Sequence, residues 1–285
     1  MKAVAVKQRK SMKKRVQGIV YGVAGLFLGC LFLFPIYILV LNSFKNTKGI
    51  FTDVIGFPNA ATFTNENYPN AFEALDYVRS FVNSFLITVV STFLILLISA
   101  MAAWVLVRYK TKASKFIFVL FAAAMLIPFQ CVMLPLVGFA SRIHIMNPAG
   151  LVFMYMGFGT SMAIVMFHGF IKNIPEELEE AATIDGCNGG QLFFIIVVPL
   201  MRTILVTEAV LNVMWIWNDY LLPSLIINKA GWQTLPLKTY LFFGQFAKRW
   251  DLASSGLIMC MVPIIVFYLF CQKYIVKGIT DGAIK

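Results

Sequence analysis

The chain has 285 residues, of which 60% are hydrophobic and 13% charged, and its formal net charge is +11. A soluble domain carries roughly 25% charged residues, so this composition excludes one aqueous core and requires lipid to cover much of the surface. The positive excess does not indicate nucleic acid, because the lysines and arginines fall between apolar segments and form no basic stripe.

Residues 1–17 form a basic tail with Lys2, Lys7, Arg9, Lys10, Lys13, Lys14 and Arg15 and no acid. That is the pattern of a cytoplasmic segment facing anionic lipid. Gly18 to Phe44 is charge-free and long enough to cross a bilayer, and no small-residue cleavage site follows it. It reads as an uncleaved first helix, not a signal peptide.

Further apolar stretches run from Phe81 to Val107, Phe116 to Ser141, Ala149 to Ile171, Leu192 to Trp217 and Leu252 to Cys271. Each approaches or exceeds the roughly 20 residues that a helix needs to span about 30 Å of hydrocarbon. The expectation is an all-α integral membrane protein of about six transmembrane helices, with the membrane region over 18–271 and a cytoplasmic tail over 272–285. Pro35, Pro128, Pro135, Pro199 and Pro263 lie inside these stretches and are expected to kink them. Gly157-Phe158-Gly159 reads as a helix-packing element.

Arg108, Lys110, Lys112 and Lys115 crowd the second loop, and Lys273, Lys277 and Lys285 end the chain. By the positive-inside rule these regions and both termini are cytoplasmic. Lys45 to Ser80 and Asn218 to Asp251 then face outward, where their length and mixed composition suit contact with something extracellular. Leu237 to Phe246 is too short to span and reads as a re-entrant or surface segment. The five cysteines (Cys30, Cys131, Cys187, Cys260, Cys271) have no short-spaced pairing, and His144 and His168 have no neighbouring nucleophile or acid cluster, so all are read as structural.

The cytoplasmic loop 172–191 contains Asn173-Ile174-Pro175-Glu176-Glu177-Leu178-Glu179-Glu180-Ala181-Ala182-Thr183-Ile184-Asp185-Gly186. Asn173 suits a cap, Pro175 a first turn, and the glutamates the positive end of a helix dipole. Leu178, Ala181, Ala182 and Asp185 recur at helical spacing and define one narrow face. Gly186 suits the turn that ends the helix, and Gly189-Gly190 reads as loosening the loop. A short, exposed helix tied to membrane helices at both ends is expected.

Glu180-Ala181-Ala182-x-x-x-Gly186, followed by apolar residues and Pro199, resembles the EAA motif of binding-protein-dependent ABC importer permeases. Ile127-Pro128-Phe129-Gln130 with Met133-Leu134-Pro135-Leu136, Trp217-Asn218-Asp219-Tyr220-Leu221-Leu222-Pro223, and the tail from Lys273 to Ala283 are similar to the maltose-type, second-subunit branch of carbohydrate uptake. Cys187 and Glu208 depart from the residues more usual there. The resemblance implies the type I ABC importer permease fold in a prokaryotic plasma membrane, with Glu180, Ala181, Ala182, Asp185 and Gly186 coupling the chain to an ATPase. It also implies a homologous second permease, two ATP-binding cassette subunits and an extracytoplasmic solute-binding protein. No G-x-x-x-x-G-K-[ST] phosphate loop is present. No cofactor is expected on this chain, and ATP and Mg belong to the partner ATPases, which makes the chain a non-catalytic subunit.

Glu208, Asn212, Trp215 and Asp219 are spaced to share one face of the fifth stretch. A carboxylate there must face protein or water. Amide and carboxylate groups beside an indole suit a sugar's hydroxyls and apolar face, so these four are candidates for the solute pathway; packing of Glu208 against a partner subunit is the competing role. The alternative function is a self-sufficient secondary transporter or channel for a small polar solute, which calls for ionisable residues spread over several spans. Here Arg202, Glu208 and His168 are the ionisable residues within spans.

Overall fold

The computed structural model describes residues 2–227, 229–244 and 249–283, with side chains described between 17 and 273. The basic side chains of the amino-terminal tail, the side chains of the tail motif beyond Lys273 and residues 245–246 of the Leu237–Phe246 stretch therefore lie outside the described part. The chain divides into two compact units, 1–72 with 242–258, and 73–241 with 259–285.

The first unit contains α1 (Lys2–Ser43) and the short α2 (Thr47–Thr52). Buried polar side chains hold the segment after α1. The Asn67 Nδ2 group donates to the carbonyls of Ser43 and Lys45 at 2.9 and 2.8 Å, and Lys45 Nζ donates to the Asp53 carbonyl at 2.6 Å. Backbone groups turned away from regular structure thus find partners inside the unit.

The second unit is built on α4 (Tyr77–Arg108) and α7 (Pro148–Ile171); α3 (Asn67–Ala74) precedes it across the boundary. The buried residues of α4 are mostly small or hydroxylated, among them Ser84, Thr88, Ser91, Ser99 and Ala103. In lipid, where apolar surface alone does not drive helices together, such residues let backbones approach closely. Gly159 of α7 marks the tightest approach, because a methyl group built there would lie 2.5 Å from Ile95 Cδ1 and 3.1 Å from Asn212 Oδ1. Gly157 has open space around it, so the packing role expected of the pair belongs to Gly159.

Two of the predicted spans are not continuous. The third is α5 (Lys112–Ala124) and α6 (Phe129–Arg142), bent by 101°, and the fifth is α9 (Gly189–Leu200) and α10 (Arg202–Asn218), bent by 78°. Proline explains the first bend, and the second falls two residues after a proline. Pro128 has extended backbone (φ −61°, ψ 137°) and pushes the preceding residue out of the helical region. Pro199 has no N–H to donate within α9, where Leu192–Val197 is already wound as a π-helix, and helical geometry lapses at Met201 (ψ 1°). Pro35, Pro135 and Pro263 remain inside helices. Four described helices are long and apolar enough to cross a membrane, or six if each bent pair is one span.

After α10, the helices α11 (Leu221–Ile226) and α12 (Leu235–Thr239) are short. Asn83 Nδ2 donates to the carbonyls of Gly231 and Gln233, and the Leu235 N–H donates to Ser84 Oγ at 2.7 Å, which ties this segment to the start of α4. The last helix, α13, spans Trp250–Ala283.

Candidate functional site

The loop helix α8 (Glu177–Ile184) is fastened at both ends. On its incoming side, Arg108 at the end of α4 donates from Nε and Nη2 to Glu179 Oε1 at 2.8 and 2.6 Å, and also from Nη2 to the Ile174 carbonyl at 3.1 Å. Trp104, one turn earlier on α4, donates Nε1–H to Glu179 Oε2 at 2.9 Å, and its ring lies 5.5 Å from that of Phe193 in α9. Both carboxylate oxygens are thereby occupied. Lys110 adds an exposed contact to Glu176 at 2.7 Å, and this hydrogen bond and charge hold the Glu176 carboxyl below its ordinary pKa.

On the outgoing side, Gly186 adopts φ +91°. The Gly186 N–H donates to the Thr183 carbonyl at 3.1 Å and the Cys187 N–H to the Ala182 carbonyl at 3.0 Å, the paired bonds of a Schellman stop. A capping box follows at once: Asn188 Oδ1 accepts from the Gln191 N–H, and Gln191 Oε1 accepts from the Asn188 N–H, both at 2.9 Å. Gly189 and Gly190 sit inside that box, so the loop is fixed where the glycines were expected to loosen it. The Asn173 amide donates back to the Gly169 carbonyl instead of capping α8, whose N-cap position is Glu176.

The narrow face expected of Leu178, Ala181, Ala182 and Asp185 is split. Ala182 and Glu179, three residues apart, are buried. Leu178, Glu180, Ala181, Ile184 and Asp185 are exposed, with Ile184 at 86%. The outward surface of α8 is thus small and apolar with acids beside it, and Gly186 serves as its stop.

The stripe on α10 also divides. Glu208 is 2% exposed; Asn212 Nδ2 donates to its Oε1 at 3.0 Å and to its backbone carbonyl at 2.9 Å, while Oε2 finds no hydrogen-bond partner among the described residues. Trp215 is 42% exposed and meets the Tyr155 ring edge to face at 5.5 Å. Asp219 Oδ2 accepts from the Tyr155 hydroxyl at 2.9 Å, and its Oδ1 accepts from the Leu221 N–H. Four residues in register therefore form two sites, an internal carboxylate–amide pair and an indole platform braced by Tyr155 and Asp219. Arg202 opens α10 and is exposed; His168 is buried with its ring 3.9 Å from that of Phe118, and His144 is exposed.

Residues 95–281, including α8 and both bent pairs, match the family of the binding-protein-dependent transport system inner membrane component. The chain belongs to this family. The permease is 42% identical over 273 residues, 96% of this chain and 99% of the relative, to the probable starch degradation products transport system permease protein AmyC of Thermoanaerobacterium thermosulfurigenes. It is 33% identical to the multiple sugar-binding transport system permease protein MsmG of Streptococcus mutans, covering 90% of this chain and 93% of the relative. Its fold is that of a chain in a bacterial ABC transporter involved in the import of the acidic polysaccharide alginate, with a TM-score of 0.77 at 20% identity, covering 91% of this chain and 96% of that one. It is a multi-pass membrane subunit.

Sequence reasoning passed over Trp104 and Tyr155 and read Arg108 only as a charge of the second loop. Trp104 and Arg108 lie four residues apart on one helix face, which was the available signal. Their partner Glu179 stood in a run of glutamates with nothing to set it apart. Tyr155 carried no signal at all, since an aromatic residue in an apolar run is ordinary.

Proposed function

We propose that this permease forms, together with a homologous second permease, the path for a sugar or oligosaccharide delivered by an extracytoplasmic binding protein. Two ATP-binding cassette subunits, which bind ATP and Mg, drive it in a prokaryotic plasma membrane. The observation that carries this reading is α8: a helix locked to α4 through Arg108 and Glu179, stopped at Gly186, with Leu178, Ala181, Ile184 and Asp185 turned outward. A helix so fixed moves with the membrane helices, so a partner that pushes its outer face moves the pathway. Glu180, Ala181 and Asp185 meet the ATPase in this account, while Ala182 and Gly186 keep the helix seated and short.

A carbohydrate cargo is supported by relatives named for starch degradation products, multiple sugars and melibiose/raffinose/stachyose. Trp215 supplies the flat apolar surface that a sugar ring stacks on, held by Tyr155 and Asp219. Glu208 and Asn212 lie behind it, joined by a hydrogen bond within α10 itself.

The test is reconstitution. The permease, its second permease and the ATPase subunits are placed in liposomes with the binding protein, and uptake of a labelled maltooligosaccharide is followed. Uptake that needs ATP and the binding protein is expected. Uptake by the permease alone, driven by an ion gradient, would establish the alternative of a self-sufficient secondary transporter.

A further inference from the structure

The carboxyl ends of α4 and α7 and the amino end of α5 surround a cavity of about 590 Å³ beside the point where Arg108 fastens α8. Its rim carries Arg108, Lys110, Lys115 and Lys172, against one lining acid, Glu176. Glu179 engages Arg108 from outside the cavity, and Glu176 engages Lys110. Lys115 and Lys172 are exposed and have no carboxylate within 4.0 Å among the described residues. Two positive charges are therefore left over at one place. The first turn of α5, capped by Thr111 through the Ser114 N–H at 3.0 Å, adds the positive end of a helix dipole.

The remaining wall is apolar. Leu106, Val107, Phe118 and Val119 line it, with the Phe118 ring against His168. The wall continues onto an exposed flank of α5 where Phe116, Val119 and Leu120 present their side chains. Helices α4 and α7 are each long and apolar enough to cross a membrane and α5 is half of a bent apolar pair; the rim lies at their lysine-rich end, the end that faces anionic lipid under the positive-inside rule. A cationic rim above an apolar wall that runs into the bilayer matches one chemistry, a phosphate diester of net negative charge carried on a diacylated glycerol. A free phosphate has no use for the wall, and an acidic protein side chain has no use for the flank of α5.

We propose that this cavity is a binding site for an anionic phospholipid, with Lys115 and Lys172 contacting the headgroup phosphate and the first acyl carbons lying along Phe118 and Val119. The site is separate from the outward face of α8 and from the indole platform, so it bears on how the membrane regulates the permease and not on which solute it carries.

The test uses the assembled transporter in detergent, titrated with phosphatidylglycerol or phosphatidylcholine and read by native mass spectrometry. Each lysine near a membrane surface contributes about 1 kcal/mol toward anionic lipid, so Lys115→Gln with Lys172→Gln is expected to weaken phosphatidylglycerol binding about 30-fold and to leave phosphatidylcholine unchanged. Equal phosphatidylglycerol binding by wild type and variant overturns the proposal, as does full displacement of the lipid by inorganic phosphate, which would make the site one for free anions. Should the double variant fail to assemble, photoactivatable phosphatidylglycerol is crosslinked to the unaltered transporter. Label on the peptide spanning residues 106–119 is then expected, and label confined to other segments, or an ATPase chain crosslinked at Lys115 in place of lipid, counts against it.

Discussion

Arg108 grips Glu179 across 71 positions of sequence, with two guanidinium nitrogens within 2.8 Å of one carboxylate oxygen. The side chains are 12% and 9% exposed, and the second carboxylate oxygen is taken by Trp104. Charge-assisted hydrogen bonds from a planar guanidinium are both strong and directional. Removing one partner of a buried pair costs about 3 kcal/mol where nothing else compensates the remaining charge; here the Trp104 bond to Glu179 and Glu176 at 3.9 Å from Arg108 offset part of that loss. The contact makes the end of α4 and the inner face of α8 one mechanical piece.

Arg108→Ala is therefore expected to uncouple the transporter. Binding-protein-stimulated uptake in liposomes should fall at least about tenfold, equivalent to roughly 1.4 kcal/mol, while the ATPase subunits still co-purify and hydrolyse ATP. Arg108→Lys keeps the charge but loses the planar fork, and intermediate uptake is expected. Wild-type coupling in the alanine variant would show that the contact is not needed to transmit motion.

Gly186→Ala places a Cβ at φ +91°. The left-handed region costs a non-glycine residue roughly 1–2 kcal/mol, and nothing crowds the position sterically, so the effect is one of backbone alone. A lower melting temperature of the assembled transporter and reduced uptake are expected. Gly186→Asn should recover part of both, because asparagine tolerates this conformation better. Alanine and asparagine variants that behave alike would contradict the assignment.

Trp215→Ala and Glu208→Gln separate the two halves of the α10 stripe. If solute stacks on Trp215 as proposed, loss of the indole is expected to raise the apparent KM for oligosaccharide about tenfold, the loss of about 1.4 kcal/mol of stacking. Glu208→Gln keeps the shape and the hydrogen bond from Asn212 while removing a carboxylate that is sealed inside the subunit, so apparent KM should stay within about twofold and any change should appear in assembly. The reverse pattern in uptake kinetics would place Glu208 on the path.

The spans were legible because a run of some 20 apolar residues has few other uses. Bends were legible as positions and not as sizes: Pro128 and Pro199 announce a lost N–H, but whether the chain kinks or turns by 101° or 78° depends on what neighbouring helices offer the freed groups. The stop at Gly186 could be read because positive φ has a residue signature. Which side of α8 turns inward could not. Helical spacing says that Glu179 and Ala182 share a face; only Trp104 and Arg108, distant in sequence, decide that this face is buried. The same holds for Glu208 and Trp215, whose register is identical in kind and whose surroundings differ because Gly159 lets α7 close over Asn212.

The most direct test of coupling through α8 is a crosslink from its outer face. Ile184→Cys, at a position 86% exposed in the subunit, is introduced into the assembled transporter and treated with a short thiol-to-amine crosslinker, with and without ATP. A permease–ATPase adduct whose yield changes on nucleotide binding is the predicted result; no adduct at this position, in a complex that still imports sugar under ATP, would contradict the account.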